Sequence, residues 1–177
     1  MLQWGILGTG SIATAFAKAL NESQGSCLRA VASRSAERAE QFAASFECVG
    51  YDSYDKLLCV GDIDAVYVAT PHTLHFDLSF AALENAKHVL CEKPMTINAT
   101  ETMVLVDKAR RAGLLLMEAF MYRLHPQTQK VREILEAEFF GKQVRIEASF
   151  GFDAPVSRDH RLMNQELGGG SVLDIGC

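Results

Sequence analysis

The sequence predicts an α/β protein in which a doubly wound parallel sheet is followed by the start of an incomplete α+β domain. Short apolar runs alternate with segments of helical period as far as residue 120, and that rhythm changes afterwards. A glycine-rich turn also separates the first apolar run from the first helical segment. We therefore expect one domain over residues 1–120 and the N-terminal part of a truncated substrate or oligomerisation domain over 121–177.

Six apolar runs are predicted to be strands. They cover residues 3–7, 28–32, a short stretch near Cys48, 65–69, 87–91 and 114–117. Helical periodicity fills the intervals at residues 11–20, 35–46, 54–60, 73–86 and 98–112. In the last of these, Asn98 and Glu101 have the spacing of a capping box and Gly113 provides the stop. Strands joined by right-handed helical crossovers form a parallel sheet that is covered on both faces.

Beyond residue 120 the pattern predicts one helix over 125–138 and one strand over 143–152. In that strand the apolar side chains alternate strictly, with Val144, Ile146, Ala148, Phe150 and Phe152 on one face. A strand with one apolar face is typical of a half-exposed sheet, unlike the earlier runs.

Composition excludes several classes of function. The chain has 177 residues, 49% of them hydrophobic, and a net charge of −5, without a basic block that would neutralise nucleic-acid phosphates. It has no signal-peptide pattern and no apolar run long enough to span a bilayer, so we expect a cytoplasmic protein without membrane or nucleic-acid partners. Its five cysteines form no C-x-x-C pair, and His72 and His75 lack a third ligand at zinc spacing, so we expect reduced thiols and no metal.

The turn after the first predicted strand has the pattern G-x-G-x-x-A. It consists of Gly8, Thr9, Gly10, Ser11, Ile12 and Ala13. The first glycine permits the tight turn, the second lets a diphosphate approach the backbone, and the alanine allows the helix to pack closely. Because the turn opens a long βαβ series, it indicates a dinucleotide site of the Rossmann type. The alternative is a tight turn with a purely structural role.

The end of the second predicted strand favours NADP over NAD. NAD-binding domains usually carry an acidic residue there to bind the ribose 2′-hydroxyl, whereas this chain has Ser33, Arg34 and Ser35. Arg34 can pair with a 2′-phosphate or stack on the adenine, and Arg38 lies one helical turn further on. The alternative is that Arg34 is simply an exposed loop arginine.

Two further strand ends are expected at the same edge of the sheet. Thr70, Pro71 and His75 follow the fourth strand, and Glu92 and Lys93 follow the fifth. Ligands of open α/β sheets bind at this carboxyl edge. There Lys93 can hold a substrate hydroxyl and share in proton transfer. Taken alone, a lysine in this position is more often an exposed loop residue, here paired with Glu92.

Several segments together resemble the family of glucose-fructose oxidoreductase, inositol dehydrogenase and MocA. They are WGILGTGSIA, AVASRS, VYVATPHTLHFDLSFAAL, KHVLCEKPM, MEAFMYRLHP and ELGGGSVLDIGC. Within the family, these segments are most similar to the branch of dimeric dihydrodiol dehydrogenase and D-xylose dehydrogenase. The resemblance implies an NAD(P)-dependent oxidoreductase with an N-terminal Rossmann domain and a C-terminal α+β domain. It further implies that a full-length enzyme is a homo-oligomer associating through the sheet of the second domain.

The resemblance also implies roles for individual residues. Gly8, Gly10 and Ala13 would form the diphosphate turn, Ser33 and Arg34 would contact the adenosine phosphate, and Thr70, Pro71 and His75 would line the nicotinamide side. Glu92 and Lys93 would be the signature pair, with Lys93 catalytic and Pro94 following a cis peptide bond. Asp174 would face the substrate, as would Arg123 and Arg161.

One feature departs from the family pattern. The general acid/base of the family, Tyr or His, falls four residues after the aspartate, whereas the sequence ends at Cys177, three residues after Asp174. We therefore expect a fragment with little or no activity of its own, derived from an enzyme that transfers a hydride between NADP and a sugar, polyol or diol.

Two alternative functions are also compatible with the sequence. Some relatives bind the dinucleotide as non-catalytic regulators or sensors, although Lys93 favours an enzyme. The segment VLDIGC also imitates the first motif of S-adenosylmethionine-dependent methyltransferases. That motif should lead into an α/β domain, whereas here it comes after one.

Overall fold

A computed structural model describes residues 1–142, 144–145, 147–151, 153, 157, 160 and 162–177. Its centre is one six-stranded sheet formed by β1 (Leu2–Leu7), β2 (Ser26–Ala32), β3 (Val49–Tyr51), β4 (Ala65–Val68), β5 (His88–Cys91) and β6 (Leu116–Glu118). All pairings are parallel and the strand order is β3-β2-β1-β4-β5-β6. The order reverses between β1 and β4, so the predicted doubly wound sheet is confirmed.

Seven α-helices accompany the sheet in the described part of the chain. They are α1 (Ser11–Glu22), α2 (Ala36–Phe46), α3 (Tyr54–Leu58), α4 (His75–Glu84), α5 (Ala99–Ala112), α6 (Pro126–Glu136) and α7 (Ser171–Asp174). Short 3₁₀ turns occupy His72–Leu74, Met121–Leu124 and Gln165–Leu167. The helix predicted over 73–86 thus begins with a 3₁₀ turn. It ends at Glu84, just before Ala86 adopts a left-handed conformation with a φ of 56°.

Two apolar layers bury the sheet. On one face, α1 and α2 pack against Ile6, Val31 and Tyr67. On the other face, α3, α4 and α5 pack against the neighbouring strand positions, among them Leu7 and Val68. Because successive side chains of a strand point to opposite faces, a strand covered on both faces must be continuously apolar, which explains the unbroken runs in the sequence.

Local sequence sets the helix ends. The Asn98 side chain accepts a hydrogen bond from the Glu101 amide at 2.9 Å, and its amide group donates to the Glu101 carboxylate at 2.8 Å. Gly113 closes α5 in the left-handed conformation, with a φ of 67°. These contacts confirm both predicted ends of α5, since they satisfy backbone groups that a helix leaves unpaired.

An apolar groove with a volume of about 670 Å³ runs along the α1 side of the sheet, where no described helix covers the last two strands. Trp4, Phe16, Leu90, Met117 and Leu124 are among the residues that line it. Met117 is 51% exposed although it lies within β6. The described helices therefore cover one face of the sheet along its whole width and the other face only in part.

After residue 120 the predicted helix is found, but the predicted strand is not found among the described residues. The helix expected over 125–138 is α6, and His125 is its N-cap residue, because its Nδ1 accepts a hydrogen bond from the Gln127 amide at 3.1 Å. The predicted strand over 143–152 is absent from its described positions, 144–145 and 147–151, while Ile146 and Phe152 lie outside the described residues. A strand is stable only when it pairs with another strand, and the described part of the chain contains no strand next to this segment. The division into two domains stays a prediction.

None of the described helices is both long enough and apolar enough to cross a membrane.

Candidate cofactor and active site

A groove with a volume of about 800 Å³ opens at the carboxyl edge of the sheet. We call it the edge groove. Every residue that the sequence predicted to bind the cofactor lines it, except the buried Ala13. These residues are Gly8, Thr9, Gly10, Ser11, Ile12, Ser33, Arg34, Arg38, Thr70, Pro71, His75, Glu92 and Lys93. The predicted catalytic residue Asp174 also lines it. The carboxyl ends of parallel strands meet at one edge, which is why residues so distant in sequence share one groove.

Gly8 allows β1 and β4 to end close together. Its φ is 115°, and a Cβ atom there would lie 2.5 Å from the carbonyl oxygen of Ala69. Both the left-handed backbone and this close approach require glycine. Ala13, five residues later, is fully buried where α1 packs on the sheet.

Gly10 leaves the N-terminus of α1 open to the edge groove. It occupies the N-cap position, and in the described part of the chain no side chain caps the helix. A Cβ atom on Gly10 would meet no atom within 4 Å, so the glycine keeps a space free next to the first helical amides. Unpaired amides and the helix dipole bind anions such as a diphosphate. The turn therefore fits a dinucleotide.

The end of β2 presents hydroxyl and guanidinium groups to the same groove. Ser33 Oγ accepts from the Ser35 amide at 3.2 Å, and Ser35 Oγ accepts from the Arg38 amide at 3.3 Å. Each hydroxyl therefore keeps its proton available for a ligand oxygen. Arg34 and Arg38 are exposed at the rim. This set of donors fits a phosphate better than a ribose hydroxyl.

Thr70 and His75 lie beneath the other end of the edge groove. Thr70 Oγ1 is buried and has no hydrogen-bond partner among the described residues. Since buried polar atoms are almost always paired, this orphan hydroxyl fits a ligand that completes it. We expected His75 to line the nicotinamide side directly. It borders the groove, but it is fully buried, and its ring nitrogens lie 2.8 Å from the carbonyl oxygens of Pro94 and Thr70. Its ring therefore ties the two strand-end loops together.

Glu92 is fixed by two donors. Tyr67 donates its hydroxyl proton to Glu92 Oε1, and the Lys93 amide donates to Oε2 at 3.2 Å. Burial, followed by the hydrogen bond to Glu92 and its negative charge, raises the pKa of Tyr67 well above its usual range, so the phenol stays protonated. The apolar run of β5 thus ends in a carboxylate that is held from both sides.

Lys93 meets Asp174 across the edge groove. Its Nζ lies 3.5 Å from Asp174 Oδ1 and also donates to the backbone oxygen of the same residue. Glycines place Asp174 there: Gly168, with a φ of 73°, ends a 3₁₀ turn, and Gly170, with a φ of 114°, precedes α7. The peptide bond between Lys93 and Pro94 is cis, as the resemblance implied.

The structure does not bring every expected residue into the groove. Arg123 is exposed on the 3₁₀ turn Met121–Leu124 and is not among the lining residues, so a substrate contact from Arg123 is not supported. Arg161 lies outside the described residues. Beyond the predicted cofactor and catalytic residues, five others line the groove. Ser35, Ala69 and His72 adjoin predicted residues, whereas Tyr54 and Met121 are at new positions. Tyr54 follows the end of β3 and Met121 follows the end of β6, so the rule that located the other residues also applies to them.

The described residues contain no group of three or more histidine, cysteine or acidic side chains that could hold a metal ion.

A parallel doubly wound sheet with a glycine turn and an open helix N-terminus at its switch point defines a dinucleotide-binding domain. The comparison with protein families specifies it further. The chain belongs to the GFO/IDH/MocA family, an oxidoreductase family with an NAD-binding Rossmann fold, whose model matches residues 2–120.

Curated relatives extend the similarity beyond that domain. The chain is 39% identical to D-xylose 1-dehydrogenase (NADP(+)) 2 of Haloferax volcanii, over 99% of this chain and 54% of that protein. It is 38% identical to trans-1,2-dihydrobenzene-1,2-diol dehydrogenase of Xenopus laevis, over 99% of this chain and 53% of that protein. The chain thus spans about half the length of the curated relatives it matches.

A solved structure shows the same likeness. KijD10, a 3-ketoreductase from Actinomadura kijaniata in complex with NADP and TDP-benzene, matches with a TM-score of 0.85 and 33% identity. The match covers 99% of this chain and 54% of that one.

Proposed function

We propose that this chain binds NADP in the edge groove and contributes to hydride transfer between the nicotinamide and a CH–OH or C=O carbon of a sugar, polyol or diol. The observation that carries the proposal is the convergence of three features on one groove: the open N-terminus of α1, Arg34 and the ammonium of Lys93. The first can bind a diphosphate, the second a 2′-phosphate and the third a substrate oxygen.

The preference for NADP rests on charge. Ser33, Arg34 and Arg38 line the groove at the end of β2, and none of the described residues that line it there is acidic. A carboxylate in this position would repel a 2′-phosphate, whereas a guanidinium pairs with it. The D-xylose dehydrogenase relative carries NADP in its name, and KijD10 was crystallised with NADP.

Lys93 and Asp174 have complementary roles in the proposed reaction. When bound, NADP supplies or accepts the hydride at its nicotinamide ring. Lys93 donates a hydrogen bond to the substrate oxygen and stabilises the negative charge that develops on it. Asp174, 14% exposed, orients the substrate and the ammonium through its carboxylate. Lys93 can share in the transfer of the substrate proton, but we assign that step to neither group alone.

The substrate class follows from the relatives. The xylose and dihydrodiol dehydrogenases and the 3-ketoreductase are all named for reactions at hydroxyl or keto carbons. A sugar, polyol or diol has adjacent hydroxyls that can reach Lys93 and Asp174 together. We further propose that residues 121–177 belong to a second domain that binds the substrate, and that the full-length enzyme is a cytoplasmic homo-oligomer.

Fluorescence titration with NADPH and NADH tests cofactor binding. We expect NADPH to bind more tightly, and Arg34→Ala to weaken NADPH binding about tenfold or more, since a charge-assisted hydrogen bond contributes roughly 1.5–3 kcal/mol. NADH binding should change less than about twofold. Arg111→Ala, an exposed arginine on α5, is the control. Equal affinity for the two dinucleotides, or equal weakening of both by Arg34→Ala, would contradict the proposal.

A second titration tests the role in hydride transfer. D-Xylose and other polyols, added to the NADPH complex, should change the nicotinamide fluorescence, and Lys93→Met should abolish that change while NADPH still binds. A non-catalytic sensor would bind NADPH normally and be insensitive to the substitution, which would refute the enzymatic assignment.

A further inference from the structure

Tyr67 lies at the centre of the sheet, and its hydroxyl contacts Glu92, a residue that lines the edge groove. It belongs to β4, is 2% exposed and pairs in register with Leu90 of β5. Because side chains alternate along a strand, Glu92, two residues after Leu90, projects from the same face as Tyr67. The phenol therefore extends diagonally across the two strands towards the carboxylate.

The contact with Glu92 defines what Tyr67 can do. Tyr67 does not line the edge groove, whereas Glu92 does. Its hydroxyl donates to Glu92 Oε1, while Oε2 accepts from the Lys93 amide. Each carboxylate oxygen accepts a second hydrogen bond readily, so Glu92 keeps acceptor capacity for a ligand in the groove.

Aromatic packing against α1 fixes the position of the Tyr67 ring. The Tyr67 ring lies 4.2 Å from that of Phe16, centroid to centroid, and Phe16 lies 5.2 Å from Trp4. Phe16 belongs to α1, the helix whose N-terminus opens to the edge groove. The same aromatic row therefore packs α1 onto the sheet and ends at Glu92.

We propose that Tyr67 is a positioning residue that holds the Glu92 carboxylate, and through it the start of the Lys93 loop, in place to accept a hydrogen bond from the nicotinamide half of the cofactor. This inference rests on the proposed binding of NADP. The acceptor chemistry suits the N–H or O–H donors of a carboxamide or a ribose. Tyr67 acts only through Glu92, since the groove does not expose the phenol.

The test compares Tyr67→Phe, which keeps the ring, with Tyr122→Phe, which alters a tyrosine that is 56% exposed. Two ligands are titrated: NADPH, and 2′-phospho-ADP, which lacks both the nicotinamide and its ribose. We expect Tyr67→Phe to weaken NADPH about tenfold and 2′-phospho-ADP by less than about twofold. In a Glu92→Ala background, the same substitution should have almost no further effect on NADPH. Equal weakening of both ligands, or an undiminished effect in that background, would overturn the positioning role.

A measurement without cofactor separates this inference from the proposed function. Hydrogen exchange of the Lys93 amide should be several-fold faster in Tyr67→Phe than in the wild type, because Glu92 loses one of its two anchors. Tyr122→Phe should leave it unchanged. An unchanged rate in Tyr67→Phe refutes the positioning of the Lys93 loop whether or not NADPH binds. Failure of the wild type to bind NADPH refutes the proposed function, while this exchange rate still decides whether Tyr67 positions Glu92 and the start of the Lys93 loop.

Discussion

The Lys93 ammonium and the Asp174 carboxylate lie 3.5 Å apart, although 81 residues separate them along the chain. The cis bond before Pro94 and the glycines around residues 168–170 belong to the two turns that face each other at this point. The ion pair therefore connects the end of β5 to the short helix α7.

Lys93→Met should loosen α7 without destabilising the fold. The pair is only partly buried, with side-chain exposures of 33% and 14%, so we expect the free energy of unfolding to change by less than about 1 kcal/mol. The hydrogen-exchange rates of the amides at 171–174 should rise, because the variant lacks the ammonium that binds the end of the helix. Lys93→Arg retains the charge and serves as the control. Unchanged exchange in Lys93→Met would mean that the pair does not hold α7.

Two glycine substitutions should separate folding from binding. Gly8→Ala introduces a methyl group 2.5 Å from the Ala69 oxygen at a positive φ, and should cost roughly 1–3 kcal/mol of stability or more. Gly10→Ala, at a φ of −77°, should fold normally but weaken NADPH binding at least about tenfold, because its methyl group enters the space for the diphosphate. Chemical denaturation and NADPH titration measure the two effects. Loss of stability in Gly10→Ala with unchanged affinity would contradict this.

Tyr67 should make stability fall at alkaline pH. Its folded-state pKa is raised by burial and by Glu92, so above the ordinary tyrosine pKa of about 10 the unfolded chain loses a proton that the folded chain keeps. This contribution is fully present below about pH 10, and declines by about 1.4 kcal/mol per pH unit above it. Urea denaturation of the wild type and Tyr67→Phe across this range measures it. Parallel stability curves would show that Tyr67 ionises freely in the folded chain.

The five thiols should differ sharply in reactivity. Burial raises the pKa of Cys91 to about 12, and that of the half-buried Cys48 to about 11, whereas Cys59 and Cys177 are exposed. Because the thiolate is the reactive form, Ellman's reagent near neutral pH should modify the exposed pair first and leave Cys91 untouched until the chain unfolds. Cys59→Ser should remove one fast-reacting thiol, whereas Cys91→Ser should leave the fast phase unchanged.

Patterns that depend on single elements were predictable from the sequence. The short apolar runs identified all six strands, and the strand-end rule predicted that Gly8, Arg34 and Lys93 lie at one edge of the sheet. Contacts between elements were not predictable. The Tyr67–Glu92 bond depends on the pairing of Tyr67 with Leu90, and a register of this kind is set by packing rather than by local sequence.

The roles of individual side chains could not be predicted from local sequence rules either. Nothing in the sequence shows that both nitrogens of His75 face backbone oxygens, because those oxygens belong to two loops that meet only in the fold. Arg123 was placed by resemblance alone, and it is exposed and not among the residues that line the edge groove. The strand expected over 143–152 followed from alternation, which states which side chains share a face but not whether a neighbour exists to pair with.

The apolar groove along the α1 side of the sheet has a practical consequence in the laboratory. A concave surface of this size, lined by Trp4, Phe16 and Leu90, should bind environment-sensitive dyes such as anilinonaphthalene sulfonate while the chain is still native. Dye-based melting curves would then start from a high fluorescence baseline and underestimate the amplitude of the unfolding transition. Circular dichroism is the better reporter of unfolding for this molecule.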